Sequence, residues 1–281
     1  MSGGQQVNVY RELRMASDAI FDPMPIGVYQ DIFDAASSTQ NYRLGQRKIL
    51  EDGSVWVYAK AGGAINRTDL GVKNGLCQGV AQRAVAAAQS VGDKTATLTC
   101  ASPDGASADG NIVLDEFKDG YILFFTTGAV ASYDKQVRRV TGNTAGTTSI
   151  VFTFDRGLEI ALATATSKAE VMASPYKHVV ISSGANFPVV GIPAVLADSG
   201  EYLWLQTWGV TWISPQSTVG LVGNTGLVFR HDGSLEPITN ESGVLTVPDG
   251  TYDTTQHAGF VMAETSASAQ AAPFIMLQIS P

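Results

Sequence analysis

The sequence has little charge and no long apolar run. Charged residues make up 16% of the 281 residues, and 26 Asp and Glu exceed 18 Lys and Arg, for a formal net charge of −8. Disorder requires low hydrophobicity with high charge, and this composition has neither. The densest apolar stretch, Tyr121 to Phe125, is five residues long, whereas a membrane-spanning helix needs about 20. We therefore expect a folded chain with no membrane partner.

Basic clusters and cysteines are also scarce. Nucleic-acid binding favours clustered Lys and Arg, but residues 91–281 carry nine basic against eighteen acidic side chains. No nucleic-acid partner is therefore expected. Two cysteines, Cys77 and Cys100, are too few for a disulfide framework, and we expect both to be buried as small hydrophobic side chains. The residues after Met1 lack the basic and apolar regions of an export signal, so none is expected.

Catalytic signatures are missing as well. The sequence contains no phosphate-binding Gly-Lys-Ser/Thr loop, no Gly-x-Ser-x-Gly motif and no pair of histidines at metal-binding spacing. Its three histidines, His178, His231 and His257, lie far apart along the chain. We therefore predict that the protein is not an enzyme, that it has no catalytic residues and that it uses no cofactor.

One acidic loop contains side chains of the types that bind metal ions. Asp104, Asp109, Asn111 and Asp115 fall in a glycine-containing stretch, and oxygen ligands on such a loop suit calcium. Their spacing differs from that of the helix-loop-helix calcium site, and Asp-Gly and Gly-Asn pairs commonly form turns in β proteins. We favour turns and assign no metal site, with calcium as the alternative.

Most of the remaining pattern is typical of β-strands. Apolar and polar residues alternate with a period of two, as expected for strands with one buried face. In one such segment Ala96, Leu98 and Cys100 are expected to point inward. Similar short segments recur between turn-forming residues, and the clearest are 54–60, 95–100, 149–154 and 201–208. The segment 187–193 contains two prolines and is interpreted as an extended connector.

A single helix is predicted over residues 76–90. Leu76, Val80 and Ala84 recur there at helical spacing, and Gly92 follows as a stop signal. The predicted fold is therefore mainly β, with short-stranded sandwich-like or barrel-like domains, one short helix and an extended N-terminal arm. We divide the chain into an arm with a proximal β region and the helix (1–90), a middle β domain (91–175) and a C-terminal β domain (176–281).

The first 50 residues are apolar but aperiodic. Asp22-Pro-Met-Pro25 interrupts any helix there, and no pattern indicates a core of their own. We expect this arm to lie extended on a neighbouring subunit or on another protein; the alternative is that it folds back on its own β body. Because interfaces depend on a few large anchors, the candidate partner contacts are Phe21, Tyr29 and Phe33, with Arg11 and Arg14 at the rim.

A strongly aromatic strand is expected in the C-terminal part. Tyr202, Trp204 and Trp208 share one face of it with Gln206. Aromatic rings of this kind form a core, a subunit contact or a platform on which sugars stack. We favour a core or an interface over sugar binding.

Three segments resemble the virion proteins of tailed bacteriophages. They are Gly53-Ser-Val-Trp-Val-Tyr-Ala-Lys-Ala-Gly62, Ser174-Pro-Tyr-Lys-His-Val-Val-Ile181 and Glu201-Tyr-Leu-Trp-Leu-Gln-Thr-Trp-Gly209. The resemblance implies a capsid decoration or cement protein that binds and stabilises the outer shell lattice. It further implies the major capsid protein as partner, a homo-oligomer with a trimer as the expected form, synthesis in the host cytoplasm and location on the capsid surface of the virion. It offers no catalytic residues.

Two other roles remain open at this point. The chain could be the major shell-forming capsid subunit itself, in which case the purified protein should assemble spontaneously into shells or tubes. It could also be a carbohydrate-binding tail or surface module, in which case substitution of Trp204 or Trp208 should abolish glycan binding.

Overall fold

The computed structural model describes most of the chain. The described residues are 19–21, 24–75, 79–127, 135–164, 166–181, 188–215, 219, 226–238, 256–263 and 274–280. Strands and turns account for them, and no helix occurs within these ranges. The prediction of a mainly β fold is confirmed.

The described residues form seventeen β-strands, all paired antiparallel within their sheets. In chain order they are β1 (Ala19–Phe21), β2 (Arg47–Leu50), β3 (Val55–Lys60), β4 (Val72–Asn74), β5 (Gly79–Ala84), β6 (Thr95–Thr99), β7 (Tyr121–Thr126), β8 (Lys135–Asn143), β9 (Ser149–Phe154), β10 (Ser167–Met172), β11 (Val179–Val180), β12 (Val189–Pro193), β13 (Tyr202–Thr211), β14 (Gly226–Phe229), β15 (Leu235–Pro237), β16 (His257–Ala263) and β17 (Phe274–Gln278).

The chain divides into two compact units. Unit 1 comprises Met1–Gly75 and Tyr176–Pro281, and unit 2 comprises Leu76–Pro175. This arrangement differs from the three regions expected from the sequence. The first and third regions lie together in unit 1 because β3, from the first, pairs along its length with β13, from the third. The residues after 78 instead belong to unit 2, where β5 pairs with β10.

The sheet of unit 1 has eleven strands. Its main path runs β1-β2-β3-β13-β17-β16-β14-β15, while β12 pairs with both β13 and β4, and β4 pairs with β11. In the centre, Trp204 lies opposite Tyr58 and Leu205 opposite Val57. Three apolar clusters fill this unit, and they contact both faces of the central strands.

The segment that follows Met24 lies on this sheet rather than extending away from it. Ile32, Tyr42 and Leu44 are exposed by only 2, 0 and 5%, and they share a cluster with Trp56, Tyr58 and Trp204. The expectation of an extended arm is therefore wrong for residues 24–50. Their apolar side chains are irregularly spaced because turns, not regular elements, carry them into the core. Residues 1–18 and 22–23 lie outside the described residues.

Unit 2 has a six-stranded sheet in the order β5-β10-β7-β8-β9-β6. Burial alternates along its strands, as along Thr95–Thr99 and Ser149–Phe154. Ala96, Leu98 and Cys100 are buried, as the sequence predicts, and they belong to the apolar cluster of this unit. One face of this sheet therefore builds the core and the other carries polar and partly exposed side chains.

The predicted helix over 76–90 is wrong, because residues 79–84 form β5. Val80 and Val85 are both buried, although their odd separation would place them on opposite faces of a regular strand. A bulge reconciles the two positions: Val80 and Arg83 lie opposite Val171 and Ala169, so β5 has one extra residue. Gln82, within the bulge, has a φ of 50°. Because of this extra residue, side chains that share one face of β5 are spaced in the sequence as they would be in a helix.

The connector expected before Pro193 is also a strand. All five residues of β12 are buried, and the strand joins β13 on one side to β4 on the other. Proline is accepted at its last position, where it lies opposite Leu205.

Candidate functional site

An exposed apolar patch lies on the outer face of the sheet in unit 2. Ile122 and Phe124 of β7 point into the core, so Tyr121 and Leu123 point outward. Tyr121 lies opposite Met172 of β10, and Leu123 lies opposite Val137 of β8. Tyr121, Val137 and Met172 are exposed by 46, 48 and 49%. We call these four residues the apolar face.

The apolar face borders a groove of about 490 Å³ at the edge of β5. Gly79 lies in this groove, and a Cβ atom built on it would approach the carbonyl oxygen of Val171 to 2.0 Å. A side chain is therefore excluded from this position. The strands β5 and β10 consequently pack closely here, and the surface beside Met172 stays open.

Charged groups surround the apolar face. Arg139 lies opposite Tyr121 and donates to Oδ1 of Asp119 at 2.8 Å. Glu170 lies opposite Leu123 on the other side. An apolar centre with a mixed, charged rim is the usual anatomy of a protein-binding surface.

The acidic loop considered for calcium is held together by its own contacts. Asp104 is only 2% exposed, and its Oδ2 accepts from Nε of Arg83 at 2.6 Å and from the backbone N–H of Ala101 at 2.8 Å. Oδ1 of Asp109 accepts from the N–H of Asn111 at 2.8 Å, which is turn geometry. Among the described residues, no three His, Cys, Asp or Glu side chains are placed to hold a metal ion.

The residues of the N-terminal arm that were predicted to contact a partner lie in different environments. Tyr29 is partly buried, and its hydroxyl accepts from Nζ of Lys48 at 2.9 Å. Phe33 is 68% exposed, and its ring meets that of Trp56 edge-on at 5.6 Å. Phe21 lies in β1. Arg11 and Arg14 fall outside the described residues.

The aromatic residues of β13 lie in two different environments. Trp204 is fully buried, and its ring lies 5.1 Å from Tyr58, which stacks on Tyr202 at 5.9 Å. Trp208 is partly exposed and lies outside this cluster. A bulge separates them, because Gln206 and Trp208 lie opposite the consecutive residues Trp56 and Val55. The expected shared face is therefore interrupted after Gln206, and the ring of Trp204 is closed to an external sugar.

Buried polar groups orient this aromatic cluster. The Tyr58 hydroxyl donates to Oε1 of Gln30 at 2.8 Å, and Nε1 of Trp204 donates to the carbonyl oxygen of Gln30 at 3.2 Å. Burial raises the pKa of Tyr58 to about 12. The phenol therefore remains a neutral donor and acts as a structural group.

Three other groups have pKa shifts whose largest cause is burial. Burial raises the pKa of Cys100 to about 12, which makes its thiol unreactive. Burial, and then the nearby charge of Lys60, lowers the pKa of His178. Burial likewise lowers the pKa of Lys73, whose Nζ donates to the carbonyl oxygen of His231. Cys100 and Lys73 are buried in the fold, and His178 is partly buried.

The apolar face was not predicted from the sequence, because every residue of Tyr121–Phe125 is apolar and no alternation separates its two faces. The signal was present in the neighbouring segment 136–140, whose polar residues indicate a sheet with one open face.

No protein-family model, curated protein or solved structure matches this chain. Within the described residues, no helix is long and apolar enough to cross a membrane.

Proposed function

We propose that this protein is a structural virion protein of a tailed bacteriophage, which decorates the outside of the capsid and stabilises its lattice. Its partner is the major capsid protein, to which it binds as a homo-oligomer, a trimer. The resemblance noted above supports this proposal. The resembling segments contribute β3, β11 and β13 of unit 1, so the resemblance covers central strands and not only loops.

The observation that carries the docking part of the proposal is the apolar face of unit 2. Three neighbouring strands place Tyr121, Val137 and Met172 together, each about half exposed. Contiguous apolar surface of this kind commonly marks an interaction site. A tyrosine at its centre supplies a large anchor with a polar tip. We assign the capsid subunit as its occupant.

Cosedimentation with phage capsids assembled without this chain tests the proposal. The wild-type protein should pellet with the capsids, and the double variant Tyr121→Ala/Met172→Ala should bind about tenfold more weakly, since removing an interface anchor often costs more than 1 kcal/mol. Val91→Ala/Leu114→Ala is the matched control, because both residues are exposed in unit 2 and lie outside the apolar face.

Two results would contradict the proposal. Failure of the wild-type protein to bind capsids would remove the decoration role. Assembly of the purified chain alone into shells or tubes would favour the role of shell-forming subunit. Sedimentation equilibrium of the free protein tests the trimer, for which the expected mass is three times the 29.6 kDa of one chain.

A further inference from the structure

A second cavity lies in unit 1, away from the residues used above. It occupies about 390 Å³ between the start of β3, the end of β12 and the second half of β13. This volume is within the range of small-molecule sites, about 300–1,000 Å³. Its lining includes Phe33, Asp52, Ser54, Trp56, Gln206 and Thr211, and we call it the aromatic cleft.

Two rings form the apolar wall of the aromatic cleft. Phe33 is 68% exposed and stands edge-on to Trp56 at an interplanar angle of 75°. Trp56 is 7% exposed, and its Nε1 donates to Oγ of Ser54 at 3.0 Å. The hydrogen bond fixes the indole, so the exposed Phe33 ring rests on a rigid support.

The polar part of the lining is held in a fixed orientation. Gln206 is only 5% exposed, and its Nε2 donates to the carbonyl oxygens of Trp208 at 3.3 Å and Val210 at 3.1 Å. Both amide N–H bonds are therefore used. Oε1 of Gln206 has no protein hydrogen bond among the described residues, which leaves it as an acceptor for a ligand.

A glycine makes this arrangement possible. Gly209 follows the bulge in β13 and has a φ of 109°, a conformation that favours glycine. A Cβ atom there would lie 3.0 Å from Cα and Cβ of Ser54 and 3.4 Å from Nε2 of Gln206. The bare backbone thus lets the serine and the glutamine approach the same cleft.

The charge in the lining restricts the ligand further. Asp52 is the single charged residue among the described residues that line the aromatic cleft. Its Oδ1 accepts from the N–H of Ser54 at 2.8 Å, and the side chain is exposed. No basic side chain is present among the described residues of the lining, so phosphate and carboxylate ligands lack a counter-charge from them. Asp52 adds an acceptor for hydroxyl groups.

We propose that the aromatic cleft binds a neutral saccharide. A sugar ring has an apolar C–H face that packs on an aromatic ring, and hydroxyl groups that donate to fixed acceptors. Phe33 supplies the ring, Oε1 of Gln206 and the carboxylate of Asp52 supply acceptors, and the hydroxyl of Thr211 adds a further partner. This proposal stands independently of the capsid role.

Saturation-transfer NMR on the full chain tests it. The probes are glucose, galactose, mannose, rhamnose, N-acetylglucosamine and N-acetylgalactosamine, with N-acetylneuraminic acid and choline as charged comparisons. At least one neutral sugar should receive saturation, strongest at the protons of its apolar face, and the charged probes should receive less. Phe33→Ala should reduce the signal about fivefold, as expected for loss of an aromatic contact.

Two further variants make the test decisive. Asp52→Asn, which preserves shape at an exposed position, should weaken the same signal. Leu196→Ala is the control, since Leu196 is 58% exposed in unit 1 and outside the cleft, and it should leave the signal unchanged. The proposal is overturned if no neutral sugar is saturated, if choline binds in place of the sugars, or if Phe33→Ala retains the full signal with a native circular-dichroism spectrum.

Discussion

The two units use their strands differently. In unit 2 the strand β9 alternates buried and more exposed residues along its length, so one face is inside and the other outside. In unit 1 five consecutive residues of β3, Val55 to Ala59, are all buried. The second face of β3 is covered by the segment that follows Met24. An alternating sequence pattern therefore identifies the inner face only where the other face meets water.

Both units bury polar side chains, some neutral and some charged. Unit 1 encloses a neutral network, in which Oε1 of Gln30 accepts from the hydroxyl of Tyr58 at 2.8 Å and from Nδ2 of Asn41 at 3.2 Å. In unit 2 the buried carboxylate of Asp104 pairs with the partly exposed Arg83, and unit 1 has buried charged residues of its own, among them Lys73 and Glu236. Satisfied neutral networks fix how side chains fit together, whereas removal of one partner from a buried ion pair leaves an uncompensated charge.

Alanine substitutions along one strand of each unit are the most direct test of whether β3 is buried on both faces and β9 on one. In unit 1, Tyr58→Ala should lower the free energy of unfolding by about 3–5 kcal/mol and its neighbour Val57→Ala by about 2 kcal/mol, because both are buried. In unit 2, Phe152→Ala should cost about 3–5 kcal/mol, but its neighbour Thr153→Ala less than about 1 kcal/mol. Urea denaturation measures each value. Equal losses at Phe152 and Thr153 would contradict the one-faced description of unit 2.

Glycine substitutions test whether the tight packing of unit 1 includes its turns. Gly233 has a φ of 85°, and a Cβ there would lie 2.2 Å from the carbonyl oxygen of Gly71. Gly233→Ala should therefore destabilise by about 3 kcal/mol, from backbone strain and overpacking together. Gly53 has a φ of 80° with no atom within 4 Å of such a Cβ, so Gly53→Ala should cost about 1 kcal/mol. Thermal unfolding distinguishes the two, and similar losses would exclude the contact with Gly71 as the cause.

The pairing of buried Asp104 with partly exposed Arg83 predicts a moderate effect in unit 2. Asp104→Asn should lower the free energy of unfolding by about 2 kcal/mol, because Arg83 and the N–H of Ala101 lose a charged acceptor. Asp109→Asn is the control, since that carboxylate is exposed in a turn, and it should change stability by less than about 0.5 kcal/mol. Urea denaturation at neutral pH measures both. Equal effects would mean that the burial of Asp104 has no energetic consequence.

A smaller, pH-dependent effect is expected in unit 1. Burial lowers the pKa of His178 below its ordinary value of 6.5. As the pH falls, the unfolded chain therefore binds this proton first, and the stability that is present above pH 6.5 is lost below it. His178→Phe, which cannot titrate, should lose less stability between about pH 7 and pH 5 than the wild type. Parallel pH profiles of the two proteins would contradict the assignment.

The sequence predicts the parts of this fold that depend on local pattern. The alternation of Thr95–Thr99 gave the correct inner face, because that strand has one face in water. The bulges at Gln82 and after Gln206 were not predictable, since each adds a residue whose effect depends on the partner strand. The pairing of β3 with β13 joins distant parts of the chain, and no local signal specifies it.

The aromatic cleft was likewise not predictable from local sequence pattern. From the sequence, Phe33 was predicted as a candidate partner contact, and Trp56 and Gln206 each as members of a strand. Their meeting depends on the register of β3 with β13 and on the turn that carries Phe33 back to the sheet. The orientation of the Gln206 amide depends on two backbone carbonyl groups beyond the bulge. Side-chain identity therefore indicated the components, and only the fold indicated the site.

The position of unit 2 in the chain has a consequence for how such a protein evolves. The chain leaves unit 1 after β4 and returns just before β11, and these two strands are paired, with Asn74 opposite Val179. The N–H of Gly75 also donates to the carbonyl oxygen of His178 at 2.8 Å. The two junctions are thus adjacent within unit 1 itself. The coding sequence between the two junctions can therefore be gained, lost or replaced by that of another domain whose two ends lie close together. Unit 1 keeps its own hydrogen bonds in each case.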